Sequence, residues 1–190
     1  MSLLYFPSSN AGALTFISKS TVTGTPSSVD ITGIDSTYNI YLVQWFGINF
    51  VSGGGITFQA STDGGTSFGV SGRSVFTGGA ISDDNATTYW QVWTGNDIYD
   101  STDYALISAA GDEDGEELGC GELYLYNPAG SEYTYFKSSA GGRSGSGAIT
   151  NYHVTGVFQT SSAIDAISFG GEGSASYEAG TFSLYGIKTS

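Results

Sequence analysis

The sequence predicts an all-β protein with the architecture of a jelly-roll-like antiparallel β-sandwich. Apolar or aromatic residues alternate with small polar ones in short runs, which is the period-two pattern of two-faced strands. The runs end at Gly, Ser, Asn or Asp, and 29 of the 190 residues are Gly. Aromatic residues make up 14% of the chain, which is enough to build a core. A two-sheet sandwich suits this number of short strands.

The candidate strands follow one another at the spacing of a sandwich or barrel. They are 13–22, 28–32, 38–50, 55–61, 67–77, 86–94, 103–109, 119–126, 132–138, 149–159, 162–169 and 180–188. The alternation is cleanest in the fourth strand, where Ile56, Phe58 and Ala60 are expected to share one face. Only 105–110 also has a helix-compatible composition. Residues 13–190 are therefore assigned to one β-sandwich domain.

Turn residues separate these strands. Asp63-Gly64-Gly65 predicts a tight hairpin between 56–61 and 67–70, and 127–130 (NPAG) predicts a second one. The segment 61–68 (STDGGTSF) resembles the Asp-box hairpin of sialidases and other propellers. In that turn the aspartate accepts hydrogen bonds from backbone N–H groups, so Asp63 is expected to stabilise the turn. Residues 138–147 predict a flexible loop.

The net charge of the chain argues against some classes of binding partner. The chain has 18 acidic and five basic residues, for a net charge of −13. Nucleic-acid binding is therefore not expected, because affinity for phosphates comes from basic side chains. Attraction to an anionic membrane is disfavoured for the same reason. No stretch approaches 18 apolar residues, so insertion into a membrane is not expected either.

The residues that could support catalysis or metal binding are few. His153 is the only histidine, and Cys120 is the only cysteine and is predicted to be a buried thiol. The acidic run 111–119 would offer Asp112, Asp114 and Glu117 if a cation binds there. A solvated acidic loop is the favoured interpretation of this run, and contact with a basic partner is another. No catalytic set and no cofactor are expected, and the chain is predicted not to be an enzyme.

An aromatic cluster is the strongest candidate for a binding site. Trp90, Trp93 and Tyr99 lie close together in the sequence beside amide and carboxylate side chains. Aromatic rings of this kind can stack on sugars, or they can pack in a subunit interface. In an alternating strand Trp90 and Trp93 face opposite sides, so at least one of them is predicted to be a core residue.

Four segments together resemble a family of small virion proteins of tailed phages. They are 27–38 (SSVDITGIDSTY) with the strand 40–48 that follows, 56–68, 121–128 (GELYLYNP) and 180–188 (GTFSLYGIK). The resemblance implies a jelly-roll protein that decorates capsids or forms distal parts of fibres and tail structures. It implies a fold and no catalytic or binding residue. The segment 70–118 departs from the family pattern.

The expected function is therefore that of a non-enzymatic virion surface protein, either a capsid decoration or cement protein or a fibre component. It is expected to form a homotrimer and to contact other virion proteins of the capsid or tail. Residues 1–12 are interpreted either as an N-terminal arm that docks on a neighbour or as an edge strand. The alternative function is carbohydrate binding, as a module or at a fibre tip that recognises host surface glycan.

Overall fold

The structure, a computed structural model, describes residues 14–110, 119–144 and 147–188. Within these ranges the regular elements are thirteen β-strands and one turn of 3₁₀ helix, Glu172–Ser174. The strands are β1 Leu14–Thr21, β2 Ser28–Thr32, β3 Ile40–Phe50, β4 Gly54–Ser61, β5 Gly72–Ile81, β6 Thr88–Val92, β7 Tyr99–Ser101, β8 Ala105–Ala110, β9 Gly119–Tyr126, β10 Thr134–Arg143, β11 Ile149–Phe158, β12 Ala166–Gly171 and β13 Tyr177–Ile187.

The strands form two antiparallel sheets packed as a jelly-roll-like sandwich. The large sheet has nine strands in the order β1-β13-β3-β9-β10-β11-β5-β6, and β7 also pairs with β5. The small sheet has four strands in the order β2-β12-β4-β8. The chain passes repeatedly between the sheets, for example from β3 to β4 and from β12 to β13. Strands joined by such a crossing lie on opposite sides of the shared core, and their inner faces form that core together.

The core is a layer of aromatic side chains between the two sheets. Phe58 of the small sheet packs its ring against Phe136 and Phe158 of the large sheet, with centroids 4.8 and 5.5 Å apart. Trp45 from the large sheet packs against Phe169 of the small one. All five side chains are almost completely buried. This interlocking of rings from both sheets holds the sandwich together.

The predicted fold class is confirmed, and so is the alternation in β4. Ile56, Phe58 and Ala60 belong to the core. The turn at 127–130 does connect a hairpin, because β9 and β10 pair with Tyr126 opposite Tyr135. The stretch 105–110 is a strand, β8, and not a helix.

Three details of the sequence interpretation are wrong. The Asp63 turn connects β4 of the small sheet to β5 of the large sheet, so it does not close a hairpin. The predicted loop 138–147 is partly strand, because β10 continues to Arg143 and pairs with β11. Cys120 is exposed, because it lies between Gly119 and Gly121 at a position of β9 that faces outwards. Residues 1–12 lie outside the described residues.

Candidate functional site

The outer face of the large sheet is an aromatic surface that we call the aromatic face. Strand pairing aligns two rows of side chains on it. The first row is Phe16, Tyr185, Leu42, Tyr124, Lys137, Thr155 and Val75. The second row is Tyr126, Tyr135, Val157, Arg73 and Tyr99. Several of these rings are largely open to solvent, with exposed fractions of 58% for Phe16, 57% for Tyr135 and 75% for Tyr99.

The aromatic face lacks the acidity of the rest of the chain. The nine strands of the large sheet contain three acidic residues, Asp100, Glu122 and Glu178, and four of the five basic residues of the chain. Asp100 is also neutralised by an ion pair with Arg73. A surface that is rich in Tyr and poor in Asp and Glu shares two features of protein–protein interfaces, in which Tyr is enriched and acidic residues are depleted. An ordinary solvated sheet face would instead be polar.

An apolar recess of about 340 Å³ lies at one end of this face. Val75 and Val157 lie in it, and Tyr99 and Tyr135 stand beside it. Arg73 closes one side, where its guanidinium lies 4.4 Å from the centre of the Tyr99 ring and donates two hydrogen bonds of 2.6 Å to Asp100. Aromatic and arginine side chains around a small apolar depression are the usual composition of an interface hot spot.

A shallow trough of about 530 Å³ crosses the middle of the aromatic face. It exists because the strands carry small residues there, namely Cys120, Gly121, Ser139 and Gly141. Phe46, which is 65% exposed, forms part of its rim. The thiol of Cys120 is therefore accessible from the solvent side of the sheet.

The three aromatic residues proposed from the sequence do not form one platform. Trp93 turns inwards and packs against the core, as the alternation predicted for one of the tryptophans. Trp90 is 56% exposed and packs its ring against His153. Trp90 pairs with Gly79 of β5 whereas Tyr99 pairs with Arg73. Six residues along a strand separate these partners, which is about 20 Å.

A third depression, of about 660 Å³, lies over the small sheet. Its floor contains Thr57 and Gly170, and Tyr104 lies beside Gly170. Three carboxylates, Asp97, Asp103 and Glu172, also line it. Asp97 accepts a hydrogen bond from the Phe76 amide and Asp103 accepts one from Ser101, so both have structural partners. We call this depression the acidic cleft.

The Asp63 turn has the structural role predicted for it. The Asp63 carboxylate accepts hydrogen bonds from the Ser67 amide at 2.9 Å, from the Ser67 hydroxyl and from the Ser61 hydroxyl. These bonds lower the pKa of Asp63 to about 2. Gly64 and Gly65 adopt positive φ angles of 75° and 84°, which explains the glycine pair. Because the Asp63 carboxylate makes its hydrogen bonds within the turn, its role is to stabilise the turn.

The remaining candidates give no further site. Asp112, Asp114 and Glu117 lie outside the described residues. Among the residues that are described, no three metal-ligating side chains cluster. Likewise, no helix in the described part is both long and apolar enough to cross a membrane. The recess beside Tyr99 and Tyr135 was missed from the sequence because its residues come from four strands, and only strand order brings them together.

Comparisons with known proteins identify no relative of this chain. No protein-family model matches it, and no curated protein and no solved structure is significantly similar to it. The function must therefore be inferred from the surface that the chain itself presents.

Proposed function

We propose that this chain is a non-enzymatic structural protein of a phage particle that assembles with copies of itself through the aromatic face. On this proposal it forms a homotrimer on the virion surface, as a capsid decoration protein or a fibre component. It would attach there to capsid or tail proteins. The aromatic face is the single observation that carries the proposal.

Charge supports self-association through this face in particular. Two chains of net charge −13 repel each other, and the repulsion is weakest where acidic residues are few. The large sheet is such a region, since its strands carry three acidic and four basic residues. Burying its tyrosines removes much apolar surface from water without desolvating many charges. The resemblance to phage virion proteins in four segments supports the location on a particle.

Light scattering on the purified protein tests the assembly. We expect a mass near three times the 19.7 kDa of one chain. Tyr135→Lys places a charge on the aromatic face and is expected to give monomers that remain folded. Val51→Lys is the matched control, because Val51 is half-exposed at the end of β3 and away from the two rows. A monomeric wild-type protein, or equal loss of assembly in both variants, would contradict the proposal.

Immunogold labelling of particles tests the location. Antibodies against the chain should label intact particles of the phage that encodes it, at the head or at the fibres. Labelling at neither place, with the protein found only in the lysate, would exclude the virion role and leave self-association unaffected.

Glycan recognition is a second candidate function, supported by the exposed Trp90 and by the acidic cleft beside Tyr104. Both combine an aromatic ring with polar neighbours, as sugar sites do. Retention on an oligosaccharide array tests it, with Trp90→Ala and Tyr104→Ala as separate variants. Loss of retention in one variant would identify the site. Absence of retention by the wild-type protein would eliminate this candidate.

A further inference from the structure

We infer that the trough across the large sheet binds a linear, uncharged polysaccharide, whose chain runs across the strands from Phe46 to Trp90. This inference rests on glycan recognition, the second candidate function, and adds the site and the class of glycan. It does not depend on self-association. The trough lies further along the strands than the two rows of the aromatic face, since Glu122 and Cys120 precede Tyr124 in β9 by two and four residues.

One end of the trough carries the exposed ring of Phe46. This residue lies in a β-bulge, because the pairing of β3 with β9 shifts register between Trp45 and Ile48. The next residue, Gly47, has a φ of 64°, a conformation that favours glycine. Bulges are common next to active sites, where they redirect a side chain. The bulge therefore presents the Phe46 ring at the rim of the trough.

The other end of the trough carries the exposed ring of Trp90. Trp90 pairs with Gly79, which pairs in turn with Asn151 of the trough lining. A Cβ added to Gly79 would lie 2.9 Å from the Trp90 ring, so the ring lies over a position that has no side chain. It reaches His153 of β11, with 5.7 Å between the ring centroids. The Trp90 ring therefore extends across β5 to the strand that holds Asn151.

The surface between the two rings carries groups that match the hydroxyls of sugars. Cys120 and Gly141 leave the floor low, and side chains with amide, carboxylate or hydroxyl groups line the trough, namely Gln44, Glu122, Ser139, Asn151 and Ser183. Such groups donate and accept hydrogen bonds, and aromatic rings stack on the apolar faces of sugars. Five strand spacings separate β3 from β6, about 24 Å, which accommodates about five sugar units.

Charge and strand order favour an uncharged glycan over other ligands. Glu122 is the only charged residue among the described residues that line the trough, and the net charge of the chain is −13. This lining therefore includes no basic group that could pair with the anionic groups of an acidic glycan. An extended peptide would need a free strand edge. Within the described sheet, the strands under the trough, β3, β9, β10 and β11, are each paired on both sides.

Affinity electrophoresis in gels that contain a polysaccharide tests the class of ligand. The uncharged probes are hydroxyethyl cellulose, glucomannan and dextran, and the anionic probe is polygalacturonate. We expect at least one uncharged probe to retard the protein, relative to a gel without probe, and polygalacturonate not to retard it. Retardation by none of the uncharged probes would overturn the inference and leave self-association standing. The Tyr135→Lys variant should be retarded like the wild-type protein, and loss of retardation in it would overturn the inference by tying glycan binding to the rows.

Substitutions at the two ends of the trough test the position of the glycan. Trp90→Ala and Phe46→Ala should each weaken binding of the retarding polysaccharide about tenfold, because each removes one stacking ring. Tyr133→Ala is the matched control and should bind normally, because Tyr133 is half-exposed and lies six residues before Ser139, outside the trough. Equal losses in all three variants, or no loss at either end, would contradict a glycan that spans the trough.

The native thiol of Cys120 gives a measurement that leaves both rings intact. Alkylation with N-phenylmaleimide places a bulky group on the floor of the trough and should abolish retardation, while circular dichroism establishes that the protein remains folded. The Cys120→Ser variant should be retarded equally with and without the reagent. Full retardation of the alkylated wild-type protein would place the glycan outside the trough, leaving glycan recognition standing. Alkylation that abolishes self-association and spares retardation would make the trough a contact between copies and would also overturn the inference.

Discussion

The outer faces of the two sheets differ in composition and in solvent exposure. The outer side chains of the small sheet include Thr57, Gln59, Ser61 and Ser168, which are polar and buried. Their hydrogen bonds are made within the chain: Gln59, for example, donates to the backbone carbonyls of Thr102 and Asp103. Many outer side chains of the large sheet are aromatic, and much of their surface remains exposed. The covered face is therefore polar and the open face is aromatic.

On the proposed function, this difference distinguishes a face that is covered within the chain from a face that a partner would cover. Polar groups can be buried when each finds a hydrogen bond. The segment 102–104 supplies acceptors for Gln59, whereas Thr57 and Ser168 donate to Gly170 and Asp30 of the same sheet. Exposed aromatic rings in rows have no such function in an isolated chain, and contiguous apolar patches of this kind usually mark interaction sites. On the proposed function, the large sheet is the half of the sandwich whose outer face assembly would cover.

The largest expected difference is between a core ring and a ring of the aromatic face. Phe58→Ala removes a ring packed among Phe136, Phe158 and Phe169, and we expect it to lower the free energy of unfolding by about 3–5 kcal/mol. Phe46→Ala truncates an exposed ring and should change that free energy by less than about 0.5 kcal/mol. Urea unfolding of dilute protein measures both. A large loss in Phe46→Ala would mean that the aromatic face is needed for folding and not for assembly.

Two glutamines compare the outer faces directly. Gln59→Ala in the small sheet removes the side-chain donor to the carbonyls of Thr102 and Asp103, and should lower the free energy of unfolding by about 2–3 kcal/mol. Gln44→Ala in the large sheet alters an exposed residue and should have an effect below about 0.5 kcal/mol. Urea unfolding at one protein concentration provides both values. Similar losses in the two variants would remove the distinction between a covered and an open face.

The Asp63 turn begins where β4 of the small sheet ends. A substitution of Asp63 is expected to have the smallest effect on the free energy of unfolding, and that effect depends on pH. The pKa of Asp63 is about 2 in the folded chain, below the ordinary 3.8, so its ionised form stabilises the fold. That contribution is complete above about pH 4 and is lost as the pH falls towards 2. Asp63→Asn should flatten this part of the stability profile.

Urea unfolding midpoints across the acid range measure this effect. Ser67→Ala removes one hydroxyl donor to Asp63 and should give an intermediate profile, because the Ser67 amide still donates to the carboxylate. An unchanged profile in Asp63→Asn would show that other carboxyl groups control acid stability.

Local patterns in the sequence were enough to predict the fold class and most of the strands. Period two along 56–61 and the NPAG turn are short-range signals, and the structure confirms both. The destination of the Asp63 turn was wrong because turn chemistry does not say which sheet the next strand joins. Cys120 was placed in the core from its residue type, whereas its position in the β9 alternation determines its exposure.

The candidate site was predicted less well, because it depends on which strands are neighbours in the sheet. The sequence indicated Trp90, Trp93 and Tyr99 because they are neighbours along the chain, and the structure places Trp93 against the core and Trp90 about 20 Å from Tyr99. The rows of the aromatic face join residues from β1, β13, β9 and β5, which no local pattern connects. Strand order in the sheet is a property of the whole chain.

Hydroxyl-radical footprinting read by mass spectrometry tests most directly whether the aromatic face is the surface buried on assembly. Phe16 and Tyr135 should oxidise rapidly in dilute protein and much more slowly at concentrations where the protein associates. Tyr104, which is exposed beside the acidic cleft on the other sheet, should oxidise at the same rate in both states. Unchanged oxidation of Phe16 and Tyr135 in the associated protein, with protection of Tyr104 instead, would contradict the account.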